Sequence, residues 1–288
     1  MINLQTSNWP EYELIDSGNG RKLERFGKYI LNRIETQAFW HQSLGSEAWH
    51  KADAVFRKTD DKYGEWEYKK KIAEKWTLEF QNLKLEMRLT SFGHVGVFPE
   101  QSAQWEFIKT KVEQANRPLN ILSLFTYTGA STLAAASGGA QVVHVDASKP
   151  AITWARDNQR LSGLGQKNIR WIPEDAMKFV KREVRRNSRY DAIIMDPPKF
   201  GRGPQGEVWK FEESFPELLD YCRQILSDNP LFILTTAYAV PISSITLGNL
   251  VSDATKKLKG IIEYGELGLK QSGNERILPT AIYCRWEA

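Results

Sequence analysis

From Leu119 to the end of the chain, short apolar runs alternate with longer amphipathic stretches, and that alternation admits few folds. Residues 119–125 read as a buried strand, and residues 131–137 as an alanine-rich helix. Gly138-Gly139 then closes that helix, as helix C-termini prefer. Strands follow at 141–145, 168–172, 191–195 and 231–236, separated by helices at 152–160, 176–186 and 215–226. Residues 242–259 read mostly as helix, and 261–267 and 281–286 as the last two strands. Repetition of this kind builds a parallel sheet with helices on both faces. The fold class is α/β.

The N-terminal part has a different texture. Glu11-Tyr12-Glu13-Leu14-Ile15 alternates and stops at the turn cluster Asp16-Ser17-Gly18-Asn19-Gly20. Leu23, Phe26, Ile30 and Ile34 follow at mixed helical and irregular spacing. Residues 49–56 and 76–80 look like strands. Leu83, Leu85, Met87 and Leu89 alternate with Lys84, Glu86, Arg88 and Thr90, as a half-buried strand does. The expected organisation is a small β-rich domain over 1–93, a connecting segment and helix over 94–118, and a ligand-binding domain over 119–288.

A chain of 288 residues with 41% hydrophobic and 26% charged residues can bury a substantial core. No apolar run has the length of a membrane helix, and the first residues lack a basic region followed by an apolar core. Cys222 and Cys284 supply neither a disulfide framework nor metal-ligand spacing. These features fit the cytoplasm and no metal. A net charge of +4 permits an anionic partner. The ten tryptophans serve packing or, for a few, stacking on bases.

In a sheet of this class, ligands bind at the C-terminal ends of the strands. The fourth strand of the series ends in Asp196-Pro197-Pro198-Lys199-Phe200. The prolines lack N–H groups and fix φ near −65°, which holds their carbonyls at a set angle. Such a tip suits accepting hydrogen bonds or a proton from a target amine. The turn after the first strand, Phe125-Thr126-Tyr127-Thr128-Gly129-Ala130-Ser131, has one glycine where a dinucleotide fold would show three. That disfavours a pyrophosphate and suits S-adenosylmethionine (SAM), which carries no phosphate. Asp146 ends the second strand, where an acid can accept from both ribose hydroxyls. Asp175 follows the third, where an acid can accept from an adenine amino group or cap the next helix. Asp146 could likewise serve capping together with Ser148.

Phe-Pro-Glu-Gln at 98–101, Phe-Thr-Tyr-Thr-Gly-Ala at 125–130, Val-Asp-Ala-Ser at 145–148, Glu-Asp-Ala at 174–176 and Asp-Pro-Pro-Lys-Phe at 196–200 form an ordered set. In them the chain resembles the SAM-dependent methyltransferases related to the large-subunit ribosomal RNA cytosine-C5 methyltransferase. The resemblance spans about residues 94–240 and more loosely the N-terminal part. It implies a Rossmann-like seven-stranded methyltransferase sheet with its last strand antiparallel, so that 119–288 is the SAM-binding domain. It also implies cofactor contacts from Gln101, Tyr127, Thr128, Gly129, Asp146, Ser148, Asp175 and Asp196. Relatives often carry an extra N-terminal RNA-binding domain, which this chain is expected to lack.

The chain departs from the resemblance in its cysteines. Cytosine C5 methylation needs a thiolate that adds to C6. The family's cysteine positions lie just after the fifth strand or beside the Pro-Pro tip. Here Thr235-Thr236-Ala237-Tyr238-Ala239 fills the first place and Asp196 the second. Direct transfer is the expected chemistry, with Asp196 and the Pro197 carbonyl holding an amino or ring nitrogen. Phe200 is placed to stack on a base, and Lys199 to hold a phosphate or carbonyl. Gly201 to Lys210 reads as a mobile lid on which Arg202, Trp209 and Lys210 grip a nucleotide. Basic runs at 69–71, 181–189 and 256–259 are candidate RNA contacts or solvated faces. The acceptor expected is RNA, ribosomal RNA first. A protein or small-molecule acceptor, and a noncatalytic RNA-binding module that kept the fold, are the alternatives.

Overall fold

The computed structural model describes residues 2–6, 8–60 and 63–288. The chain divides into two compact units. The smaller comprises Gln5–Ser102 and Gly268–Thr280; the larger comprises Met1–Leu4, Ala103–Leu267 and Ala281–Ala288.

After a short first strand, β1 (Ile2–Gln5), the chain forms the sheet of the smaller unit. β2 (Tyr12–Gly18), β3 (Arg21–Phe26) and β4 (Tyr29–Ile34) are successive antiparallel neighbours. A short helix, α1 (Ser46–His50), precedes β5 (Ala54–Lys58), which pairs in parallel with β4 and antiparallel with β6 (Gly64–Tyr68). β7 (Trp76–Phe80) and β8 (Leu83–Met87) form a separate antiparallel pair. Residues 49–56, read from sequence as one strand, divide between α1 and β5. The irregular stretch around Phe26 is a hairpin whose turn is made possible by Gly27 at φ +63°.

Charged side chains hold this unit together from within. Glu24 is fully buried and accepts from Arg33 Nε and Nη2 at 2.8 and 2.9 Å and from the Tyr12 hydroxyl at 2.9 Å. Lys22 pairs with Glu35 at 3.1 Å. Asp16, also fully buried, accepts from the Leu44 amide at 2.9 Å, the Trp49 indole at 3.0 Å and Gln271 Nε2 at 2.8 Å. Through Asp16, residues distant in sequence share one carboxylate.

The larger unit alternates as expected. Its elements are α2 (Ser102–Gln114), β9 (Asn120–Leu124), α3 (Ala130–Ser137), β10 (Gln141–Asp146), α4 (Lys149–Leu161), β11 (Ile169–Pro173), α5 (Ala176–Arg185) and β12 (Ala192–Met195). A two-stranded ribbon follows, β13 (Phe200–Arg202) and β14 (Val208–Lys210), and then α6 (Phe211–Gln224), β15 (Phe232–Tyr238), α7 (Ser244–Thr255), β16 (Ile261–Lys270) and β17 (Ile277–Glu287). The sheet order is β1-β16-β17-β15-β12-β9-β10-β11. Pairs from β15 through β11 are parallel, and β17 runs antiparallel to β15. All seven expected strands are present, and β1 adds an eighth at the edge. Ile193, Ile233, Phe179, Phe215, Leu218 and Leu247 belong to one buried core on this sheet.

Two facts of this topology place the ligand crevice. The strand order reverses at β9, whose neighbours are β10 on one side and β12 on the other. Strand register also levels the tips: Leu124 lies opposite both Val145 and Met195, Val145 opposite Ile172, and Met195 opposite Thr235. The residues just beyond that row are therefore neighbours along one edge.

Candidate active site

Directly beyond the row, the chain after β9 turns sharply. Phe125, Tyr127 and Gly129 have φ of +59°, +47° and +86°, so two non-glycine residues occupy left-handed conformations. Such strain persists only where the surroundings enforce it. The Phe125 amide donates to the Val145 carbonyl at 3.0 Å, and the Gly129 amide to the Thr126 carbonyl at 2.8 Å. Asn158 Nδ2 donates to the Thr128 carbonyl at 3.0 Å. A Cβ at Gly129 would lie 2.9 Å from Ala155 Cβ, so only glycine lets α4 pack this closely.

A polar cluster absent from the sequence reading lies beneath this turn. Thr126 and Thr132 hydroxyls approach His144 Nδ1 at 3.1 and 2.9 Å, and both bond Ser123 Oγ, at 2.8 and 2.9 Å. His144 is fully buried, and burial pushes its pKa down to about 3, so its ring is neutral. Its ring packs against that of Trp171, with centroids 4.7 Å apart. The one sequence signal was a histidine and three hydroxyls on otherwise apolar elements.

Asp146 fastens the turn from the second tip. Its Oδ2 accepts from the Tyr127 amide at 3.1 Å and its Oδ1 from the Ser148 amide at 2.8 Å. Burial raises its pKa to about 6, against the pull of those two bonds. Ser148 itself caps α4, its hydroxyl accepting from the Ala151 amide at 3.3 Å. Asp175 caps α5, with Oδ1 accepting from the Lys178 amide at 2.8 Å. Both capping roles anticipated from sequence are present. Gln101 is buried in the turn Pro99–Gln101 of the smaller unit, whereas the other residues named for the cofactor all belong to the larger one.

Asp196 stands at the fourth tip, on the strand next to β9. Its amide donates to the Leu124 carbonyl at 3.2 Å, and its Oδ1 accepts from the Thr236 hydroxyl at 2.6 Å. Burial raises its pKa to about 6; the Thr236 bond opposes this and the Asp146 charge adds to it. Asp196 thus senses the Asp146 charge along this edge, with no cation among the causes of either shift. Pro197 is buried, while Lys199 and Phe200 are exposed.

Trp209 corrects the lid reading. It is 4% exposed and does not face solvent. Its indole N–H donates to the Pro198 carbonyl at 2.7 Å, and its ring packs on Phe125 with centroids 4.9 Å apart. One side chain therefore fixes both the Asp-Pro-Pro tip and the strained turn. The cysteines lie elsewhere: buried Cys222 in α6 contacts the Met195 sulfur at 3.8 Å, and Cys284 lies in β17. Burial drives the Cys222 thiol far upward, and burial aided by Glu263 pushes Cys284 up to about 12, so neither is a ready thiolate.

The matching family model, described as an S-adenosylmethionine-dependent methyltransferase, spans residues 19–227. The chain belongs to that family. A SAM-dependent methyltransferase of solved structure from Agrobacterium tumefaciens is 46% identical, with a TM-score of 0.96 over 100% of this chain and 93% of that one. A methyltransferase solved in complex with SAH matches in fold, at 18% identity and a TM-score of 0.75 over 97% of this chain and 76% of that one. The ribosomal RNA large subunit methyltransferase K/L of Shewanella baltica is 32% identical over 145 residues, which is 50% of this chain but only 19% of that relative. This methyltransferase therefore uses SAM as its methyl donor.

The residues at the tips fit that donor. The turn Phe125–Gly129 has a single glycine, which disfavours a pyrophosphate and is compatible with a phosphate-free ligand. Asp146 spends one bond per oxygen on backbone amides and keeps acceptor capacity for two ribose hydroxyls. Asp146→Ala is expected to weaken SAM binding at least tenfold, about 1.4 kcal/mol, the scale of a hydrogen bond to a charged group. Calorimetry on the folded variant checks this, and unchanged affinity would remove Asp146 from the site.

Proposed function

We propose that this methyltransferase modifies RNA, ribosomal RNA first, by direct transfer to a nitrogen of the target base. The observation that carries the reading is Asp196, a carboxyl group level with the cofactor acid Asp146 on the two tips that flank β9, with both cysteines buried in the core. SAM, when bound, supplies an electrophilic methyl group. The protein's task is alignment: Asp196 accepts a hydrogen bond from the N–H of the acceptor and takes up the proton that this nitrogen gives up, and the Pro197 carbonyl holds it at a fixed angle. Thr236 fixes the carboxylate, and Trp209 fixes the peptide after it. Tyr127, Thr128, Gly129, Asp146, Ser148 and Asp175 are the cofactor side of the site, and Gln101 is assigned to it by resemblance. Lys199 and Phe200 face the acceptor.

RNA as acceptor is supported by the likeness to the ribosomal RNA large subunit methyltransferase K/L of Shewanella baltica and by the surplus of basic residues. The reading places the enzyme in the cytoplasm, with residues 1–93 as an accessory domain and 119–288 as the catalytic one. No helix among the described residues is long and apolar enough to cross a membrane.

The test compares nucleosides from RNA of cells with and without the protein by mass spectrometry. One methylated nucleoside should disappear, with its methyl group on nitrogen. The double variant Cys222→Ala, Cys284→Ala should restore that nucleoside to cells lacking the protein. Loss of a 5-methylcytosine, or a covalent adduct trapped on 5-fluorocytosine RNA, would overturn direct transfer.

A further inference from the structure

The ribbon β13–β14 follows the Asp-Pro-Pro tip at once, and its two faces differ. Its cross-strand pairs are Phe200 with Lys210, Gly201 with Trp209 and Arg202 with Val208. Side chains alternate along a strand, so Trp209 and Gly201 share one face and the other four residues the opposite one. The first face is fastened inward by Trp209. The second is open: Phe200 is 55% and Val208 53% exposed. Lys210 pairs with Glu213 at 2.9 Å on the surface, and Arg202 makes no ion pair among the described residues.

Val208 also borders a cleft of about 420 Å³ between the ribbon and α5. Lys178, Lys181 and Arg185 line it from successive turns of that helix. Glu207 approaches Lys178 at 4.0 Å and Glu217 pairs with Lys181 at 2.9 Å, while Asp175 lies at the cleft's end. Arg185, like Arg202, makes no ion pair among the described residues. An exposed ring beside uncommitted guanidinium groups is how proteins hold single strands without reading sequence: bases stack and phosphates track the cations.

We propose that the open ribbon face and the α5 cleft seat the single-stranded RNA segment flanking the target nucleotide, with a base on Phe200 and phosphates at Arg202 and Arg185. This rests on the RNA reading above. It makes the segment a fixed platform anchored by Trp209 rather than a lid that grips through it. On the ribbon face Arg202 and Lys210 lie beside two apolar side chains. In the cleft Lys178 and Lys181 face Glu207 and Glu217, while Arg185 makes no ion pair among the described residues. Two free guanidinium groups suit a polyanion better than an apolar protein partner.

The test uses the full chain and a fluorescein-labelled oligouridine of about 16 nucleotides, the upper range of one single-strand site. Arg202→Glu combined with Arg185→Glu should weaken its binding about tenfold or more and flatten the dependence of affinity on salt, because two phosphate contacts are lost. Phe200→Ala should weaken binding with the salt dependence unchanged. Calorimetry should show SAM affinity unaltered in both variants. On ribosomal RNA from cells lacking the protein, the charge-reversed variant should raise KM more than it lowers kcat. If the wild type methylates that RNA and the charge-reversed variant matches it in binding and KM, the platform is wrong and the RNA reading stands. If the wild type methylates a protein fraction and neither binds oligouridine nor methylates RNA, the RNA reading fails and the platform with it.

Discussion

Asp196→Ala should lower kcat by about a hundredfold or more at saturating SAM, far more than it lowers cofactor affinity. The carboxylate is held by Thr236 and the strand edge, so the alanine variant loses a positioned acceptor without disturbing the core. The same residue sets a pH dependence. Its pKa is raised to about 6, and only the ionised form can take up the proton that the acceptor nitrogen gives up. Wild-type kcat should therefore fall as pH drops through about 6 and level off above it. The residual rate of the alanine variant should lack that limb. Full turnover in Asp196→Ala, or an unchanged acidic limb, would remove Asp196 from the chemistry.

The second large effect is on stability. Glu24→Ala strands Arg33 in the interior of the smaller unit, while Lys22 keeps Glu35, and breaking a buried pair costs about 3–5 kcal/mol. Burial pushes the Glu24 pKa up, but Arg33, Lys22 and the hydrogen bonds outweigh it, so the net shift is downward. Its contribution is therefore present above the unfolded carboxylate pKa and is lost as pH falls through the lower folded value. Denaturant unfolding of the variant should show that loss at neutral pH and a smaller difference from wild type in acid. Equal midpoints at neutral pH would mean that the pair contributes nothing net.

These two carboxylates also show what the sequence could and could not reveal. The acids at the strand tips were legible because prolines, a glycine and helix caps punctuate the chain around them, and the α/β alternation gave each tip its place. Glu24 was hidden by its partners. With Lys22 and Glu24 turned inward, β3 buries Lys22, Leu23 and Glu24 in succession, which breaks the period of two that betrays a strand. The hairpin at Gly27 consequently read as irregular. Trp209 was ambiguous for another reason: in a glycine-rich stretch an aromatic residue can stack on a ligand or anchor a loop, and only the pairing of Trp209 with Gly201 turns it inward. His144 and its hydroxyl partners were invisible because their meaning lies in contacts between β9, α3 and β10 that no local pattern encodes. β1 pairs across the sheet with a strand from the far end of the chain, which local periodicity cannot report.

The most direct measurement supplies purified protein with SAM labelled at the methyl group and offers it RNA and protein fractions from cells lacking this chain. Label is expected in the RNA, at one nucleoside, with transfer reduced about a hundredfold by Asp196→Ala. Label in the protein fraction alone, or transfer to RNA that Asp196→Ala leaves intact, would contradict this reading.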